Sequence, residues 1–356
     1  MKKFLCFLIS LVVIMSLLCG CNKNDLTPDE TLDEETTSAS IPESLPTTDD
    51  NSYTDENANP ASDFEYELST NKNYVYITKY IGTDEHVVIP SQIDDISVSV
   101  IKGIYYPSTG ETVGAFQNSS IRSVVIPNSI ASIHNNAFSD CQYLSQITFL
   151  PNSNLKFISS AFENCVALKK IDLSLLPLEE IGTCTFSGCT NLKEITLPNA
   201  LLKIGEHAFY ECSSLLEINL PQNLVEIGRN AFNYCTSLRT ITIPPNLSLV
   251  YFNSIPFDYI PSLEKIIFEN GRDEINGTSV FVISSDAEII IPKSVKKFSP
   301  YAFYIYDSAK FIFWGDCPEI VEQETFYGNP TIFYDPTTKG WDECVWKDTY
   351  NLEPIQ

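Results

Sequence analysis

The chain has 356 residues and a formal net charge of −24, with 22 basic against 46 acidic side chains. Nucleic-acid phosphates demand a basic surface, so this balance excludes a nucleic-acid binder and favours a soluble chain with affinity for basic ligands. Eleven cysteines, 21 phenylalanines and 18 tyrosines supply many thiols and rings, and their spacing decides what they mean.

In chain order, Lys2 and Lys3 precede an apolar run from Phe4 to Leu18, followed by Cys19, Gly20 and Cys21. A positive start with a short apolar stretch is the pattern of a secretory signal, here residues 1–20. The run of about 15 apolar residues falls short of the roughly 20 that span a bilayer. Leu18-Cys19-Gly20-Cys21 resembles the lipobox of bacterial lipoproteins. That resemblance implies that Cys21 is lipidated, becomes the new N-terminus, and anchors an exported chain to a membrane. Residues 21–63 then form a linker: from Asn22 to Asp63 there are twelve acids, one base and a single aromatic, Tyr53. Too little apolar surface is present to offset chain entropy, so the segment is expected to be disordered. It would hold a folded body roughly 35–40 Å from its anchor.

From Phe64 onward the sequence repeats. Phenylalanine, usually preceded by Ala and followed three residues later by Cys, recurs every 22–25 residues at Phe116, Phe138, Phe162, Phe186, Phe209, Phe232, Phe257, Phe281, Phe303 and Phe326. A fixed period of this size means stacked units, none able to bury its apolar face alone. Within Cys212–Phe232, the segment Glu217-Ile218-Asn219-Leu220 alternates as a half-buried strand, and Pro221 ends it. Leu224 and Ile227 re-enter the core as a second short strand, Gly228 permits a corner, and Arg229–Tyr234 is long enough for one helical or 3-10 turn. The same strand recurs from Val124-Ile126 to Ile332-Tyr334, ten times in all.

The unit L-x-x-I-x-L-P-x-x-L-x-x-I-G-x-x-A-F-x-x-C resembles the BspA-type leucine-rich repeat over Val98 to Asp335, most closely from Phe138 to Phe232. The fold implied is a β-rich repeat solenoid of leucine-rich-repeat type: one strand, a short second strand and one helical or 3-10 turn per repeat, for about ten turns over residues 113–335. Tyr74–Tyr80 with Val87-Val88-Ile89-Pro90 is similar to the family's β-rich N-terminal cap, placed at 64–112 with an insertion at Gly103–Thr112. Tyr334-Asp335-Pro336 and Gly340-Trp341 resemble its C-terminal cap, placed at 336–356. Around Phe257 and Phe281 both the Ala and the Cys are missing.

Cys141, Cys165, Cys189, Cys212 and Cys235 fill one slot on five successive turns, a column of buried thiols behaving as small apolar residues. Parallel, in-register side chains have poor disulfide geometry, so free thiols are favoured over bridges. Cys184, Cys317 and Cys344 lie off the column, and whether Cys317 and Cys344 are bridged is open. No C-x-x-C pair supports zinc or thioredoxin-like chemistry, and no cofactor or metal is expected. His86, His134 and His207 carry no motif, and none of the usual nucleophile, metalloprotease, phosphate or calcium signatures is present. The chain is read as non-catalytic.

The outward row of the main strand runs Val125, Thr148, Asp172, Thr196, Asn219, Thr242, Ile267, Ile290, Ile312, Phe333. A solvated face should stay polar, yet the last four are apolar, with Tyr251, Phe252, Tyr301, Tyr304 and Tyr306 in adjoining loops. Either the stripe is an interaction patch or a cap or loop covers it. Beside it, Lys170, Glu194, Glu217, Lys265, Glu288 and Lys310 offer cross-strand charge pairs. The resulting expectation is a membrane-anchored surface protein that binds a protein ligand, from a host or the envelope, through Ile267, Ile290, Ile312, Phe333, Tyr251, Tyr301 and Tyr304. The family resemblance implies adhesion or capture. The alternatives are a structural spacer and, behind it, a hydrolase of surface polymers.

Overall fold

The computed structural model describes residues 57–134, 136–248, 256–275, 281–283, 286–305, 308–319 and 325–356. Cys21, the signal segment, the linker through residue 56, and Tyr251, Phe252 and Tyr306 lie outside them.

The described chain winds as a parallel β-solenoid. Its main strand line holds the predicted strands, from Ser123–Ile126 through Thr331–Tyr334, and gains one at each end: His86–Val88 and Asn351–Pro354. Pairing along this line is in register, so Ile218, Ile241, Ile266, Ile289, Phe311 and Ile332 follow one another into the core. The reason is the pleat: a slip of one residue would turn every apolar side chain outward. The backbone ladder divides into three runs, with breaks after Phe149 and after Thr196.

A second line is made of two-residue strands, Ser132–Ile133, Phe157–Ile158, Glu180–Ile181, Lys203–Ile204 and Glu226–Ile227, each burying its Ile. It begins from Ile96–Ile101, which pairs with Val75–Tyr80; that strand in turn forms an antiparallel pair with Phe64–Leu68. Gly103–Thr112 falls in a small hairpin of Ile104–Tyr106 against Glu111–Val113.

The third side of the coil departs from expectation. Among the described residues no helix forms at the Ala-Phe corners, and 3-10 turns occur only at Ala61–Asp63, Trp341–Glu343 and Val345–Asp348. Two left-handed residues four apart interrupt each corner from Phe138 to Phe232: Asn136 and Asp140, Ser160 and Asn164, Cys184 and Gly188, His207 and Glu211, Asn230 and Tyr234. Positive φ breaks a right-handed helical turn. The corner amides instead reach the next coil, as in Phe138 N–H to Ala161 O at 2.8 Å and Phe209 N–H to Ala231 O at 2.8 Å. Farther along, the corner straightens into strand at Phe281–Ile283, Phe303–Ile305 and Phe326–Tyr327.

Inside runs the ring column. Successive rings from Phe116 to Phe326 stack with centroids 4.6–5.9 Å apart. Tyr80 closes one end and Trp346 the other. The spacing follows the distance between neighbouring strands and suits offset aromatic packing. Each buried ring contributes about 1.5–3 kcal/mol by area alone.

Gly228 stands at the corner expected of it, its carbonyl accepting from Ala231 N–H at 3.3 Å, and has a second role in packing. A Cβ there would stand 2.5 Å from Glu206 N, and at Gly205 one would stand 2.6 Å from Gly182 C. The glycines let successive backbones approach.

Candidate functional site

The thiol column is the most regular polar feature of the interior. Each Sγ–H donates to the Phe carbonyl of the coil before it: Cys141 to Phe116 at 2.9 Å, and Cys165 to Phe138, Cys189 to Phe162, Cys212 to Phe186 and Cys235 to Phe209 at 3.2 Å. All five are free and buried. Burial pushes Cys141 and Cys189 up to about 12 and the other three well above their ordinary value. Such thiols stay protonated and are poor nucleophiles or metal ligands. Their work is to fill space and to occupy a carbonyl lone pair.

Cys184, His207 and Asn230 stand at equivalent left-handed corners of successive coils, as the repeat register predicts. His207 Nε2 lies 3.0 Å from Asn230 Nδ2, and Nδ1 lies 3.5 Å from Glu206. Its ring meets Tyr210 edge-on at 5.2 Å, and Tyr234 stacks on Tyr259 at 4.7 Å. Among the described residues, no group of three or more His, Cys, Asp or Glu side chains could hold a metal ion.

The outward row of the main strands is the stronger candidate. In register it reads Thr242, Ile267, Ile290, Ile312, Phe333 and then Glu353 on the added last strand. Asp172, Thr196 and Asn219 are exposed, whereas Ile267, Ile290, Ile312 and Phe333 are half-buried. In-register neighbours on one face cover each other's flanks while leaving their tips in water. Among the described residues, then, the stripe is neither sealed core nor fully open surface.

Beside it lies a shallow depression of about 540 Å³ lined by Gln222, Glu269, Asn270, Ile290, Lys293 and Trp314, with Phe268 and Pro292 beneath. Gln222 Nε2 donates to Glu269 Oε2. Trp314 is 51% exposed, a large apolar surface that the strand row did not reveal. It follows the last strand residue, Phe313, and so falls outside the alternation used to find the stripe. A lone tryptophan just past a strand was the available signal.

The predicted loop aromatics do not all join this patch. Tyr304 belongs to the third side of the coil, between buried Phe303 and Ile305, and stacks on Tyr327 at 4.4 Å. Tyr301 is half-buried at a left-handed corner (φ 53°) preceding that strand. Alternation sends Tyr304 away from the core on its own face, so it cannot extend a row carried by another sheet. Tyr251 lies outside the described residues.

The flanking charges pair across strands: Lys170 with Glu194 at 2.8 Å and Lys265 with Glu288 at 3.2 Å. The hydrogen bond from Lys170 holds Glu194 below the usual carboxylate range and raises Lys170 in return. Both side chains are well exposed, so solvent screens the pair.

The sequence matches the BspA-type leucine-rich repeat region in six copies, over residues 112–223 and 202–332. Among solved structures, a leucine-rich repeat protein of T. pallidum is 27% identical, covering 63% of this chain and 88% of its own, with a TM-score of 0.44. A leucine-rich cell surface protein of Faecalibacterium prausnitzii is 22% identical, covering 84% and 95%, with a TM-score of 0.43. The pneumococcal vaccine antigen PcpA is 15% identical, covering 83% and 98%, with a TM-score of 0.35. No curated protein matches the chain.

Proposed function

Because the chain belongs to the family of BspA-type leucine-rich repeat proteins, we propose that it is an exported, lipid-anchored binding protein. Cys21 is the anchor, the acidic linker is the tether, and the solenoid presents the row Ile267, Ile290, Ile312 and Phe333 to a protein ligand. The observation that carries this reading is the unbroken, half-buried apolar stripe in a position where earlier coils place Asp172, Thr196 and Asn219. Apolar patches rimmed by polar groups mark interaction surfaces, and Trp314 adds the kind of side chain that dominates binding energy. The net charge of −24 favours a ligand segment that is basic as well as apolar. The buried, protonated thiols of the column are poor nucleophiles, and the reading is of a binding protein.

The test is to pan a displayed peptide library on the immobilised chain and on its Ile267→Glu and Ile290→Glu variants. Selected peptides should carry apolar and basic residues, and each variant should weaken them by at least about tenfold, or 1.4 kcal/mol. Equal binding to correctly folded variants would move the site elsewhere. Recovery of no peptide would favour the spacer. Labelling with a radioactive fatty acid, lost in Cys21→Ala, tests the anchor separately.

A further inference from the structure

The cysteines off the column include a pair that the fold brings together. Cys317 follows the strand Lys310–Phe313, and Cys344 links the two 3-10 turns Trp341–Glu343 and Val345–Asp348. The Cys317 thiol donates to Pro318 O at 3.8 Å, and the two thiols perturb each other's ionisation. Four further constraints hold the segments in place. Cys317 N–H donates to Lys339 O at 2.8 Å, and Lys339 N–H donates to Asp316 Oδ1 at 2.9 Å. Trp341 Nε1–H donates to Gly315 O at 3.3 Å. Gly340, at φ 85°, packs so closely that a Cβ there would stand 3.3 Å from Cys317 Cβ. The two segments are thus juxtaposed before any covalent bond forms.

We propose that Cys317 and Cys344 are a disulfide site, closed by exchange with a small disulfide oxidant, that staples the terminal cap to the last coils. The biological setting rests on the exported reading above, since oxidising compartments keep such bonds. The chemistry does not. Cys317, half-buried, is the more accessible thiol, while Cys344 is only 7% exposed. Cys317 gives up its proton and its sulfur attacks one sulfur of the oxidant, whose disulfide breaks and releases one thiolate that takes up the proton. Cys344 then loses its proton and attacks the Cys317 sulfur of the mixed disulfide, expelling the second thiolate, which is protonated in turn. Two protein thiols are oxidised to one disulfide, and one oxidant disulfide is reduced to two thiols. In the reduced pair their mutual contact raises Cys317 and lowers Cys344 relative to the ordinary thiol value, and that contact ends once Cys317 enters the mixed disulfide. The bridge closes a 28-residue loop that includes the strand Thr331–Tyr334.

The experiment oxidises the full chain with glutathione disulfide, blocks remaining thiols in denaturant, and maps tryptic peptides by mass. Trypsin cuts after Lys310, Lys339 and Lys347, so the bridge would join Phe311–Lys339 to Gly340–Lys347. The expected result is that linked pair with the five column thiols and Cys184 still alkylated. Melting should rise by roughly 5–10 °C on oxidation, from loop-closure entropy, and fall back on reduction. Cys317→Ser should abolish both the link and the shift. Recovery of both cysteines as separate alkylated peptides, or linkage of either to Cys184, would overturn the proposal. The peptide map uses the unaltered chain, so it stands whether or not the variant folds, and it is independent of where the chain resides.

Discussion

The coils from Phe138 to Phe232 and those from Phe257 to Phe326 build the same ring column by different means. In the first set, a corner with paired left-handed residues points the ring inward, and a buried thiol bonds the preceding Phe carbonyl. In the second, the thiol is missing and the corner becomes a third strand, with Phe281, Phe303 and Phe326 in register. Larger side chains on the main strand meet the rings there: Phe268 lies 5.7 Å edge-on from Phe281, and Phe311 lies 4.9 Å from Phe303. The column is the shared determinant, and the wall around it is adaptable provided that the volume is filled.

The largest test of that statement removes a ring from each half. Phe186→Ala and Phe281→Ala should each cost about 3–5 kcal/mol in urea unfolding, because both rings are fully buried between two neighbours. A cost at Phe281 well below that at Phe186 would mean that the third strand, and not the ring, holds the later coils.

The next test concerns backbone approach. Gly205→Ala would place a methyl 2.6–2.7 Å from the backbone of Gly182 and Thr183, and should destabilise by about 1–3 kcal/mol. The matching slot in a later coil is Ser299, whose N–H donates to Ile275 O as that of Gly205 does to Ile181 O. A Cβ is already accommodated there, so Ser299→Ala should be close to neutral by the same measurement.

These contrasts show which parts of the fold the sequence carried openly. The ring column, the thiol column and both buried strand rows were legible because a period of 22–25 residues superposes identical side chains, and only stacking satisfies them all. The corner geometry was not. Asn136, Asn164 and Gly188 announce positive φ, but Ser160, Cys184, Glu211 and Tyr234 adopt it too, driven by coil-to-coil hydrogen bonds that no local propensity encodes. The final strand, Asn351–Pro354, also escaped, since it is mostly exposed and polar and owes its form to the ladder edge at Thr331–Tyr334. At the candidate site the four-residue stripe was readable by alternation. The grouping of Tyr304 with it was not correct, because strand alternation says nothing about which side of the coil a loop residue joins.

The thiols give the two halves different responses to alkali. Burial raises each column thiol above its ordinary value of 9.0, so the native state keeps its proton after the unfolded chain has lost it. The stability due to this protonated state is complete below pH 9 and declines above it, by about 1.4 kcal/mol per pH unit for each thiol. Cys189→Ser should make the decline shallower by that one increment, measured as urea stability between pH 8 and 10.5. An unchanged slope would mean that the thiol ionises in place.

The smallest effect asks whether the outer stripe is surface or hidden core. Ile267→Thr gives a later coil the residue type that Thr196 and Thr242 supply earlier, with β propensity nearly kept. A half-buried Ile surrenders only part of its burial, so the cost should be about 0.5–1 kcal/mol. A loss near 3 kcal/mol would place Ile267 among the buried residues and remove the physical basis for a binding face. A small loss of stability with a large loss of peptide capture would separate the two halves by function, since the polar rows through Asp172 and Asn219 would then be solvated wall and the apolar row the part that meets a ligand.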